Sequence, residues 1–102
     1  MTAAARIKGD PDSVEIGYSG ANGRVAIDEQ IDLSRGGQTY AGDAANCAEV
    51  RACSLVLRNN PGASLKDIEF ITVVTKTGAV EPACLSCLST IVLRGATDLG
   101  AR

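Results

Sequence analysis

Two cysteine-bearing stretches, Asn46-Cys47-Ala48-Glu49-Val50 and Glu81-Pro82-Ala83-Cys84-Leu85-Ser86-Cys87, constrain this chain more than any other feature. Both read as helix starts, and the thiols act together only if the two starts meet in space. Zinc suits such a meeting, because it prefers thiolate and imidazole ligands in tetrahedral geometry and leaves a position for water when it does chemistry. The chain has no histidine, so Cys47, Cys84 and Cys87 are the expected ligands of a single zinc ion. Cys53 lies six residues beyond Cys47, about 240° around the same helix, and is expected as a buried small residue instead. Glu49 stands two residues after Cys47. In a helix interior such side chains diverge, but at a first turn they straddle an ion beyond the helix end, and the carboxylate then reaches the ion's water. The positive end of the helix dipole also favours the thiolate.

Cys47-Ala48-Glu49 followed by Pro82-Ala83-Cys84-Leu85-Ser86-Cys87 resembles the zinc-dependent cytidine and nucleobase deaminases. Their pattern is His or Cys, any residue, Glu, and later Pro-Cys-x-x-Cys, with the Glu as proton shuttle. The first half has the form used by free-nucleoside cytidine deaminases and some bacterial toxin deaminases. The second half carries an extra residue, Ala83, between the proline and the first cysteine. The resemblance implies hydrolysis of cytosine to uracil, with Glu49 moving protons from water to the ring nitrogen and the leaving amine. Tyr40 is the stacking candidate for substrate, and Asn46 with the backbone at Ala48 and Pro82 supplies polar contacts. The plainer roles are edge packing for Tyr40 and a helix-start polar residue for Asn46. Three thiolates blunt a Lewis acid, so Arg51 is a candidate for offsetting their charge; its plainer role is a solvated position on the outer helix face, like that of Arg58.

The chain of 102 residues is long enough for one small domain, which a metal would help to stabilise. Its 45% hydrophobic content with only one Phe and two Tyr describes a core of small and aliphatic residues. Residues 1–12 read as a flexible leader, broken by Asp10-Pro11-Asp12, and 13–102 as a single deaminase-like domain. Val14, Ile16 and Tyr18, then Val25 and Ile27 beyond Asn22-Gly23, suggest a β-hairpin. A helix is expected from about Ala44 to Asn59, capped by Asp43 and stopped by Asn60-Pro61-Gly62, with Cys47 and Glu49 in its first turn or so. The β-branched run from Asp67 to Thr75 predicts a central strand covered on both faces. A second helix is expected from Pro82 or Ala83 to Arg94, with Gly95 as its C-cap, and the tail has room for one brief strand. This order matches the α/β fold class that the resemblance implies, an α/β/α sandwich with a mixed sheet and a C-terminal strand short or missing.

A formal charge of −2 gives no broad cationic surface, so contact with nucleic acid needs a local patch. No apolar run approaches membrane-spanning length, which predicts a soluble chain. By resemblance, the small size points to the C-terminal module of a secreted bacterial toxin acting in a recipient cytoplasm, with cytosine in single-stranded DNA as substrate and an immunity protein as partner. Free cytidine is the rival substrate. From another class, Cys84-Leu85-Ser86-Cys87 reads as a redox pair or a purely structural zinc site. Cys47 and Glu49 then have no role.

Overall fold

A computed structural model describes residues 1–20, 23–31, 38–39, 42–43, 46–83 and 87–101. Tyr40 and Cys84 lie outside them. Within them the chain is a mixed α/β domain built on strand β5 (Ile68–Val73), which the β-branched run predicts well. One edge of β5 pairs antiparallel with β1 (Thr2–Ile7), and β1 pairs with β2 (Glu15–Tyr18). Beyond the short pair β3 (Gln38–Thr39) and β4 (Gly42–Asp43), the other edge of β5 is shared between two short strands. Thr72 and Val73 pair antiparallel with β6 (Val80–Glu81), and Glu69 and Phe70 pair parallel with β7 (Thr97–Asp98). The result is a five-stranded mixed sheet, and β7 is the brief final strand that the tail has room for.

The expected flexible leader is instead an interior strand of this sheet. β1 escapes a propensity reading because Ala3, Ala4 and Ala5 are weak strand formers, yet it is flanked by β2 and β5 along its length. The expected hairpin is corrected with it. Residues 15–18 pair back to β1, whereas 24–28 have no regular structure. Asp10-Pro11-Asp12 is not a break but the connection itself. The Asp10 carboxylate accepts from the Asp12 N–H at 3.0 Å, and the Ser13 hydroxyl accepts from the Ile7 N–H at 2.7 Å. A short 3₁₀ turn, Pro11–Ser13, thereby carries β1 into β2.

The helix α1 (Ala48–Asn59) begins later than expected, with Cys47 in the N-cap position and Asp43 inside β4. Its end at Asn59 agrees with the stop signal, and the Asn60 side chain donates to the Val56 carbonyl at 2.8 Å. The buried residues of β5 alternate: Ile68, Phe70 and Thr72 face the core while Glu69, Ile71 and Val73 are half-buried. β5 is therefore covered fully on one face, not on both. On the opposite face Ile16, Tyr18 and Val80 are exposed. Of the expected α/β/α sandwich, the described residues hold one α-helix on one face. The second helix is also shorter than expected, a π-helical stretch Leu88–Val92 among the described residues. Its Ile91, with Ala83 and Cys87, joins the same core as α1. No described helix is long and apolar enough to cross a membrane.

α1 lies unusually close to the sheet because the contact is made of small residues. Ala3 and Ala5 on β1 and Ala48 and Ala52 on α1 are all almost fully buried. A Cβ placed on Gly17 of β2 would stand 2.6 Å from the Ala52 nitrogen and would also overlap the Ala48 carbonyl oxygen. The obstruction is helix backbone, which cannot rotate aside. Gly17→Ala is therefore expected to push α1 off the sheet and to cost about 1–3 kcal/mol, read as a lower urea midpoint with an unchanged slope.

Candidate metal centre

The first turn of α1 carries the first motif. Cys47 has an extended backbone with φ −79° and ψ 137° and caps the helix, so its side chain leaves the chain just ahead of the first turn. Glu49 is the second helical residue. Both are buried, at 6% exposure each, among Ala48, Val50 and Ala52. A carboxylate so placed is favoured by the positive end of the helix dipole. Cys87 is fully buried in the same core, and Thr90 beside it is likewise buried. Among the described residues no three Cys, Asp or Glu side chains converge on one point. The third expected ligand, Cys84, lies outside them.

The outer side of α1 is covered by irregular chain. The Asp28 N–H donates to the Ser54 hydroxyl at 3.1 Å, and Ile27 and Ile31 pack against the core. Under this cover lies Arg51, which is 1% exposed. Its expected alternative as a solvated residue is corrected, whereas Arg58 is exposed as expected. Nη1 of Arg51 donates to the carbonyls of Tyr18 and Gly20 at 2.6 and 2.5 Å, and Nη2 to the Asn46 side-chain oxygen at 3.1 Å. The Gly20 N–H returns a bond to the Asn46 carbonyl at 3.2 Å. The guanidinium thus ties the end of β2 to the residue before Cys47. Gly23 is required here, because a Cβ on it would meet the Tyr18 carbonyl at 2.6 Å. Asn46, expected near substrate, is half-buried and engaged with Arg51. Ala48 is buried against β2, and Pro82 is half-buried directly after β6.

One residue that holds the second motif escaped the sequence reading. Asp98 of β7 accepts from the Ala83 N–H at 2.7 Å and from the Gly100 N–H at 2.9 Å, and so ties the start of the second motif to the sheet. Its sequence signal is the turn-forming Asp-Leu-Gly.

Two of the three expected ligands lie among the described residues. Cys47 and Cys87 are buried cysteines in one core, the first at the positive end of a helix, where thiolates are stabilised. Cys53 is different. It is fully buried, and its thiol pKa is pushed far up, first by burial and then by the Glu49 charge nearby. It stays protonated at neutral pH. Comparison with protein-family models, characterised proteins and solved structures finds no match to this chain.

Replacing Arg51 with Met leaves buried carbonyls without donors. It is expected to cost about 2–4 kcal/mol in unfolding free energy, from two or more charge-assisted bonds, measured by denaturant titration. Cys53 is expected to resist alkylation in the folded protein at pH 8 and to react only after unfolding, as peptide mapping would show.

Proposed function

We propose that this chain is a zinc-dependent deaminase that hydrolyses cytosine to uracil, acting on cytosine in single-stranded DNA in the manner of small bacterial toxin-type deaminases. The observation that carries the reading is the placement of a buried carboxylate, Glu49, in the first turn of a helix capped by a buried cysteine, Cys47. Cys87 of the second motif is buried in the same core. A buried carboxylate is costly in an apolar core, and one placed beside a helix-capping cysteine is apt for a proton-moving task. The finer fold that this reading implies is the deaminase core, with its two metal-bearing helix starts beside a mixed sheet.

Cys47, Cys84 and Cys87 hold the ion. Bound there, zinc supplies the acidification of water, from a bulk pKa of about 15.7 towards neutrality. Glu49 takes the proton from the attacking water and delivers it to N3 of the cytosine ring. As C4 collapses and its exocyclic nitrogen leaves as ammonia, the same carboxylate passes the second proton to that nitrogen. Burial of Glu49 excludes bulk water from this relay. Arg51 acts at one remove, by holding Asn46 and the end of β2 in place beside Cys47.

Purified protein of measured zinc content, incubated with single-stranded DNA, duplex DNA, RNA and cytidine, is expected to give uracil chiefly in single-stranded DNA. Release of uridine from cytidine alone would replace the nucleic-acid substrate with a free nucleoside. Glu49→Gln is expected to lower the rate by about 10²–10⁴-fold while zinc content holds. If no substrate yields uracil, or if Glu49→Gln leaves the rate unchanged, the site is a structural zinc or redox centre and the proposal fails.

A further inference from the structure

The face of the sheet turned away from α1 is largely apolar, where a sheet with one face in water normally carries polar residues. Tyr18 is 53% exposed on it, Val80 44% and Ile16 41%, and Ile71 and Val73 are half-buried beside them. Single exposed apolar side chains need no account, but these adjoin one another across the strands. Directly paired residues project to the same side of a sheet. The pairing therefore sets Tyr18, Thr2, Val73 and Val80 in one row, and Ile16, Ala4 and Ile71 in the next. A third row closes the patch with Arg6 and Glu69, whose side chains pair at 2.8 Å. These two charges cancel, so the face has no net charge to draw a phosphate chain or an acidic peptide.

The rows are complementary to themselves. A two-fold axis parallel to the strands, in front of the gap between β1 and β5, carries β1 onto β5 of a second copy and β2 onto β6. Arg6 of each copy then stands over Glu69 of the other, which gives four charges of alternating sign. In the next row Ala4 meets Ile71, small against large. In the last, Thr2 meets Val73 and Tyr18 meets Val80. No like charges are opposed, and the strands of the two sheets run aligned, as packed sheets do at about 30°. Covering the face removes about 500–700 Å² from each copy, which reaches the lower end of the roughly 600–1,000 Å² a side of stable protein pairs.

We propose that the open sheet face is a homodimer interface, with two copies packed sheet on sheet about this axis and α1 on the outside of each. Each sheet then has both faces covered, in a four-layer α/β/β/α assembly. The inference is independent of the zinc reading.

Sedimentation equilibrium over about 10–500 µM protein measures the association. The parent is expected to pass from 10.5 kDa to twice that mass, with a midpoint in the micromolar range. Tyr18→Lys and Val80→Lys, both at exposed positions, are each expected to weaken association by more than about tenfold with an unchanged circular dichroism spectrum. Arg6→Glu and Glu69→Arg are each expected to be monomeric alone and to pair with one another when mixed, because each then finds opposite charges across the axis. A parent that stays at 10.5 kDa throughout would overturn the proposal and leave the face to a partner of another kind. A dimer that survives both lysine substitutions would place the contact elsewhere and overturn it equally. A mixture of the two charge variants that stays monomeric would overturn this pairing of the copies.

Discussion

The contact between α1 and the first two strands is the constraint on which the rest of the molecule depends. Helix backbone rests directly on strand backbone at Gly17, with Ala48 and Ala52 against β2 and with Ala3 and Ala5 buried on β1. Small residues allow this approach, and interiors are dense enough that a single added methyl group is felt. The contact also fixes where the helix starts relative to the sheet. Since Cys47 caps that start and Glu49 follows in its first turn, the same packing that forms the core also sets the position of the first motif.

Two polar ties complete the frame, one for each motif. Arg51 reaches from α1 to the carbonyls of Tyr18 and Gly20 and to Asn46, and it is buried as it does so. A buried guanidinium persists because its donors are matched by fixed acceptors. Asp98 does the equivalent for the second motif by accepting from the Ala83 backbone at the edge of β5. Neither residue belongs to the cysteine pattern, yet each holds a segment that contains it.

The elements that were legible in the sequence are those with strong local signals. Asn60-Pro61-Gly62 marks the end of α1, and the run from Ile68 to Val73 marks β5. The cysteine next to a glutamate at a helix start was legible for the same reason, as was the brief strand at Thr97–Asp98. β1 was not, because three consecutive alanines carry no strand signal and one of its two partners, β5, lies far along the chain. The expected hairpin failed for a related reason. Alternation at Ile16 and Tyr18 was real, but the choice of partner is made by the sheet, and residues 24–28 are drawn instead across the outer side of α1, where Asp28 meets Ser54. Arg51 is buried too, with acceptors at Tyr18, Gly20 and Asn46, although its side chain alone predicts a solvated place.

The sequence by itself determined which groups are available: four thiols and no imidazole, a carboxylate two residues after the first thiol, and helix and strand limits wherever capping or β-branched residues speak locally. Only the tertiary structure decided which segments are neighbours. Arg51 finds its acceptors 31 and 33 residues away, Asp98 finds its donor 15 residues away, and the N-terminal strand lies against β5. Such pairings are set by the burial and hydrogen bonding of whole surfaces, to which no short window of sequence has access.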